Sequence, residues 1–356
     1  AGGDTNSDGS TTTPAPGDYS YAIYVYGGDA TVTVSHTEIR YASAGVFDGS
    51  FTLLSTVTIV DSEFRDNTRA IYLDDAQTQL TVERTVFADS VLRAISLTSV
   101  NPSGISMTGP TANTFTGADP RSRLVYLNTS VPSGSSWTLD PSPGAVFLSY
   151  SLSVYGTVTA NPGTIIKSNY RAFNTYDGGV LNLAGAAGNP VLITSDHDDT
   201  AGGDTNNDGV TTTPNPDDYD YGVYVYGGDV TLSHTEIRYA NAGVADPGVG
   251  SLTPVSIVDS EFRDNNWGLS LNDPQVALTV ERSLFADSAN MAMFLGNTLD
   301  PSGISLTGPN ANSFTGAGPR SRLVTIDTTV PAGSSWTLDP APGAVFFADR
   351  LAVSGT

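Results

Sequence analysis

The chain has 356 residues, no cysteine, and 37 Asp+Glu against 15 Lys+Arg, a formal net charge of -22 at pH 7. That balance argues against a nucleic-acid partner, because holding phosphates needs clustered Lys and Arg, and the lack of cysteine excludes a disulfide framework and any thiolate metal site. No apolar run reaches the roughly 18 residues of a membrane-spanning helix, and no charged-then-apolar leader opens the chain, so any export signal is expected outside these residues.

The first segment, A-G-G-D-T-N-S-D-G from Ala1, carries the motif D-x-N-x-D-G as Asp4, Asn6, Asp8 and Gly9. Alternate residues of a tight loop aim their oxygens at one centre, and the glycine allows the sharp turn that follows, which is how a hard cation such as Ca2+ is held. The twelfth position is Ala15 rather than a bidentate glutamate, so this is not a complete EF-hand. The alternative is an ion-free loop rich in Asx turns. Asp18 follows the loop and extends the candidate ligand set.

Next comes D-Y-S-Y-A-I-Y-V-Y-G-G. If Ile23 and Val25 point inward, strand alternation points Tyr24 and Tyr26 out. Outward tyrosines suit sugar rings or a partner surface, and the competing reading is that they pack beneath the acidic loop.

The chain then restarts one phrase about every 20 to 30 residues. TVTVSHTEIRYASAGV, STVTIVDSEFRDNTRAIYL and QLTVERTVFADSVLRAISL align Val32, Val34 and Ile39 with Val57, Ile59, Phe64, Ile71 and Leu73, and with Leu80, Val82, Phe87, Ile95 and Leu97. Short alternating strings rich in Val, Ile and Thr, bounded by Gly, Asn and Asp, are strands, and helical periodicity is almost missing. Asn67, and later Asn265 or Asn266, fall at a bend.

At Ala201 the text begins again with A-G-G-D-T-N-N-D-G. SHTEIRYA recurs at 35 and 233, VDSEFRDN at 60 and 258, LTVER at 80 and 278, and GSSWTLDP at 134 and 333. One unit thus spans about 200 residues, giving unit one at 1-200 and an incomplete unit two at 201-356. Stacking one phrase per coil, at ~4.8 Å per strand and roughly seven coils, a unit advances about 34 Å. A β-sandwich of antiparallel hairpins is the rival fold. In unit two the motif is Asp204, Asn206, Asp208 and Gly209, flanked by Asp196, Asp198 and Asp199 before it and by Asp217 and Asp218 after it. The second loop is therefore expected to bind an ion better than the first. Tyr224 and Tyr226 repeat the outward tyrosines.

The coil form V-x-I-x-x-S-x-F-x-x-N-x-x-A-I-x-L, with LITSDHDDTAGGDTNNDG at 192-209, resembles right-handed parallel β-helix repeats of large secreted bacterial and archaeal cell-surface, adhesin-like proteins. The resemblance implies an all-β, right-handed parallel β-helix (β-solenoid) at the cell surface, with Ca2+ as ligand and neighbouring copies, adjacent repeats or a surface glycan as partners. It says little about activity, since such solenoids host lyases, adhesins and inert stalks.

Signs of catalysis are weak. His36 and His234 are one position in two copies, and Asp61, Glu63, Asp66 and Asp89 are candidates to converge on one face. Yet the chain has no Gly-His-Gly, Arg-Ile-Lys, Gly-x-Ser-x-Gly or Ser-x-x-Lys. The expectation is a non-enzymatic, calcium-stiffened stalk, fibre or sheath segment of a larger protein, with a polysaccharide-binding or polysaccharide-cleaving solenoid as the alternative. An ice-binding face is discounted, because outward threonines do not repeat coil by coil.

Overall fold

The structure, a computed structural model, describes residues 13-26, 28-49, 54-142, 144-209, 212-246, 248, 253-297, 299-339 and 343-355. It is all-β, with strands wound into a parallel β-solenoid of about 13 turns. Three strand columns make three faces. The first holds Ala30–Ser35, Ser55–Val60 and Thr78–Glu83, and resumes with Ser136–Leu139 and the strands down to Val276–Glu281. The second holds Glu38–Arg40, Glu63–Arg65, Val86–Ala88 and Thr114–Thr116, then Ile165–Ser168 through Ser313–Thr315. The third runs from Tyr19–Val25 through Ala42–Asp48 and Tyr219–Val225 to Val345–Val353. Neighbouring strands in every ladder run the same way, which removes the antiparallel sandwich.

Alternation decides which side chains go inside. Along Ser55–Val60, Val57 and Ile59 are fully buried while Thr56, Thr58 and Val60 are only partly covered. Register then puts like on like: Val34 on Ile59 on Val82, and Ile39 on Phe64 on Phe87 on Phe115. The rings of Phe64, Phe87 and Phe115 stack at 5.6 and 5.0 Å, and Phe262, Phe285 and Phe314 repeat the column at 5.0 and 5.4 Å. Each ring shields the next from water and adds a stacking term to its apolar burial.

The corners need few residues because single positions take left-handed backbone. His36, Asp61 and Arg84 (φ 48°, 49° and 48°) close the first corner in successive turns, and Tyr41, Asp66 and Asp89 (φ 66°, 55° and 53°) close the second. Asp and His tolerate this region better than branched side chains do. Asn67 then bonds the coils from inside: its Oδ1 accepts from Ala42 N and its Nδ2 donates to Ile39 O, both at 2.9 Å. Asn265 does the same in unit two, from Ala240 N at 2.9 Å and to Ile237 O at 2.8 Å, so of the two candidate asparagines it is Asn265 that occupies the buried bend. Asn266 instead bonds Asn241 nearer the surface.

One irregularity recurs. Leu124–Val131 pairs with Val146–Val154 across a register shift between Leu127 and Asn128. The first half of the longer strand continues onto Ile165–Ser168 on the second face, and the second half onto Arg171–Thr175 on the third. Leu323–Val330 on Val345–Val353 repeats this with a shift between Ile326 and Asp327. From Tyr19–Val25 to Tyr219–Val225, which carry the two tyrosine runs, the third face makes seven ladder steps.

Candidate cation loop and aromatic face

Between Val191–Ser195 and Tyr219–Val225 the chain leaves the coil, and residues 196-218 include the second D-x-N-x-D-G motif. This excursion folds back over the outside of the second face. A Cβ built at Gly202 would lie 3.1 Å from Val146 Cγ1, and one at Gly203 only 2.5 Å from Pro120 Cγ. Both residues also have positive φ (71° and 82°), so glycine is required twice over. Beneath them Leu124, Val146 and Leu148 form a small apolar cluster outside the main core, buried to 1%, 2% and 4% exposure.

The sole lysine, Lys167, also points outward from the second face, yet it is fully buried because the loop covers it. Its Nζ donates to Gly203 O at 2.6 Å. Burial pushes its pKa down, opposed by the carboxylates of Asp199, Asp198, Asp196 and Asp204. The loop's negative charge is thus partly balanced by the protein itself.

Asp198, fully buried, is committed to structure. Its Oδ2 accepts from Thr194 Oγ1 (2.5 Å) and from Arg238 Nε and Nη2 (2.9 and 2.5 Å), and its Oδ1 from Thr200. Burial would raise its pKa, but these donors outweigh burial and leave it below the usual carboxylate range. Asp218 and Asp18 are turn-formers: each accepts at Oδ2 from a backbone N–H three residues back, Asn215 and Ala15, at 2.9 Å. Asp217 is exposed and in left-handed backbone, with its N–H on Tyr239 O. Asp196 is buried, its Oδ1 has no hydrogen-bond partner, and burial raises its pKa.

Three carboxylates do converge. Asp199, Asp204 and Asp208 bring one oxygen each to within 4.8 Å of one another. Asp204 accepts from the N–H groups of Asn207 (2.6 Å) and Gly209 (3.2 Å), which curls the motif into its loop. Asp208 accepts from Thr212 Oγ1 and Asn206 Nδ2 and meets His197 Nδ1 at 2.6 Å. Asp199 Oδ1 is buried with no hydrogen-bond partner, and burial raises this acid's pKa. Asn206 turns its oxygen to Asp208 N rather than toward the three acids. The first loop, with Asp4, Asn6 and Asp8, lies outside the described residues.

The tyrosines are outward, with Val223 and Val225 buried behind Tyr224. In unit two they pack against side chains of neighbouring coils. Tyr226 stacks on Tyr176 (4.9 Å, 5°), which stacks on Tyr155 (4.5 Å, 12°), and Tyr221 stacks on Tyr224 while Arg171 covers both. Ring faces are spent on each other, leaving edges and hydroxyls for solvent. In unit one Tyr24 and Tyr26 are 46% and 70% exposed, packed on Phe47 and on each other.

The acids that were candidates for a catalytic face are ion-paired, Asp61 with Arg84, Asp66 with Arg40 and Asp89 with Arg65 between turns, and Glu63 with Arg65 along its own strand. Unit two repeats the pattern in Asp259 with Arg282 and Glu261 with Arg263. His36 and His234 sit at the first corner, each against the preceding serine hydroxyl. No family model, no curated protein and no solved structure matches this chain.

Proposed function

We propose that this chain is a non-enzymatic structural segment, a stretch of stalk, fibre or sheath borne outside the cell, with a right-handed coil and a Ca2+ ion at Asp199, Asp204 and Asp208. The single observation that carries the reading is the fate of the second-face carboxylates. Each acid of the would-be catalytic group has an arginine from its own or an adjacent turn as partner, so its charge is neutralised in the wall, and for Asp61, Asp66 and Asp89 the pair also ties coil to coil. A hydrolase or lyase needs the reverse, an acid or base held free at a substrate cleft.

The test is incubation with acidic and neutral polysaccharides and a reducing-end assay. No release is expected, and release that falls in Glu63→Gln would overturn the reading. For the ion, calorimetric titration of the chelator-treated protein with CaCl2 is expected to give binding heat that Asp204→Asn and Asp208→Asn each remove. The same titration that leaves Asp204→Asn unchanged would remove the ion from this loop. Because Lys167 and Arg238 already share the charge of the excursion, ion removal is expected to loosen residues 199-212 and leave the coils intact.

A further inference from the structure

The arginines of the second face hold acids, but two arginines of the third face do not. Arg69 and Arg93 are register partners on successive turns, so their backbones lie ~4.8 Å apart. Neither makes an ion pair or a hydrogen bond among the described residues, in a chain with 37 Asp+Glu. The groups that bear on Arg93 are Tyr126, Arg69 and Tyr72, with no carboxylate among them, and burial holds its pKa below the usual guanidinium value.

Each guanidinium lies on a ring instead: Arg93 Cζ is 3.9 Å from the Tyr126 centroid, and Arg69 Cζ is 5.2 Å from that of Tyr72. A stacked guanidinium keeps its N–H groups in its own plane, where they remain free to donate. Both arginines are only partly covered, so solvent reaches those donors. Register sets Ser96 between Tyr72 and Tyr126, and its hydroxyl is buried with no hydrogen-bond partner. Tyr150, on the turn after Tyr126, is 41% exposed. Two unpaired forks of donors thus sit in a row of aromatic rings.

The coil does not require this arrangement. At the 198-residue offset of the VDSEFRDN and LTVER phrases, Arg69 and Arg93 become Trp267 and Met291, and at the 199-residue offset of GSSWTLDP Tyr126 becomes Thr325. Trp267 and Met291 keep the same register, so unit two builds the same two rungs with no cation. Like charges on adjacent rungs repel, and partial burial strengthens the repulsion, so the pair weakens the wall until an anion joins it. A guanidinium fork matches the two oxygens of a carboxylate, and tyrosine rings suit the flat apolar side of a sugar. A long polyanion is disfavoured, because two cations do not offset the repulsion of a chain at -22.

We propose that Arg69 and Arg93 hold the carboxylate of a single acidic sugar residue, a uronic acid free or at the end of a glycan, with its ring against Tyr150. The site involves neither the cation loop nor the acids of the second face, so the tests of those leave it untouched.

Calorimetric titration of the full chain with sodium glucuronate, at ~20 mM NaCl to limit screening, is expected to show one site with a dissociation constant of about 1 mM or tighter. Glucose is expected to give no binding, and acetate binding at least about tenfold weaker than glucuronate. Methyl glucuronide, capped as in a glycan, separates the sources: binding equal to glucuronate assigns the site to a glycan end, and its loss assigns the site to the free sugar acid. Arg69→Met and Arg93→Met are each expected to weaken glucuronate binding at least about tenfold with no fall in thermal midpoint, methionine being what unit two carries on the second of these rungs. Arg282→Met removes the same charge from an arginine paired with Asp259 and is expected to leave binding unchanged. No binding of glucuronate would overturn the proposal. So would acetate binding as tightly as glucuronate, since the site would then read a bare acid such as a partner protein's side chain. Equal weakening by Arg282→Met would overturn it as well, because the attraction would then be one of overall charge.

Discussion

Asn265 places two hydrogen bonds where no water can replace them, one to Ala240 N and one to Ile237 O. Asn265→Ala leaves both backbone groups unpartnered, at about 1–3 kcal/mol each. Urea unfolding is expected to lose about 2–5 kcal/mol with an unchanged slope, whereas Asn266→Ala, whose bond to Asn241 is nearer the surface, is expected to cost under about 1 kcal/mol. The bend itself was legible from the sequence, because asparagine between two apolar strings is turn chemistry. Which of two adjacent asparagines is buried was not, since that depends on the strand register across coils.

The loop's pH response also belongs to single residues. Burial raises Asp196 and Asp199, so each of these disfavours the folded loop while ionised, a penalty that shrinks as pH falls through its raised folded value and is gone below the unfolded value of ~3.9. Asp198 is lowered, so its contribution is present above the unfolded value of ~3.9 and is lost as pH falls through its folded value. Protection of the Thr200 and Ala201 amides from hydrogen exchange is therefore expected to rise as pH drops toward the upper carboxylate range and to fall below it. A monotonic loss from neutral pH downward would refute this account. Asp198 reads in the sequence as one more candidate ligand. Its true partner, Arg238, is forty residues on, across a turn of the coil, and no local pattern signals that.

Among elements, the two tyrosine runs are nearly one sequence in two settings. Tyr226 lies against the ring of Tyr176 and Tyr224 under the guanidinium of Arg171, whereas Tyr24 packs on Tyr21, Phe47 and Tyr26. The double change Tyr224→Ser with Tyr226→Ser is expected to cost about 1–3 kcal/mol, and Tyr24→Ser with Tyr26→Ser less, because those two rings are 46% and 70% exposed. Thermal midpoints of the two double variants compare them directly. Alternation revealed the outward side of these strands; the stacking was hidden, because Tyr155, Tyr176 and Tyr226 are brought together only by turns of unequal length. The excursion was similarly half legible. Its acids are plain in the sequence, but Lys167 sits in I-I-K-S, which reads as an exposed side chain on an ordinary strand. The one available signal was that a chain so acidic keeps a single lysine.

At the scale of the whole molecule, stacked coils with a net charge of -22 repel along their length. The arginine pairs on the second face are mostly exposed, and such pairs contribute roughly 0–1 kcal/mol each. Screening should therefore help more than it harms. Raising NaCl from low ionic strength to ~0.15 M, where the Debye length is about 8 Å, is expected to raise the thermal midpoint. A midpoint that falls would mean the ion pairs outweigh the repulsion. The coil repeat was the most legible property of all, because its apolar positions recur in register in the sequence just as Val34, Ile59 and Val82 do in space.

A stack in which each rung touches only its neighbours comes undone from an end, one rung at a time. The excursion breaks that rule. Gly203 leans on Pro120, Gly202 on Val146 and Ile165, and Thr200 and Asp198 hold Arg238 of the following turn. It is a stitch sewn across the seam, and a fraying front that reaches Arg238 has to cut it before going further, at which point Pro120, Val146, Ile165 and Lys167 lose their cover together.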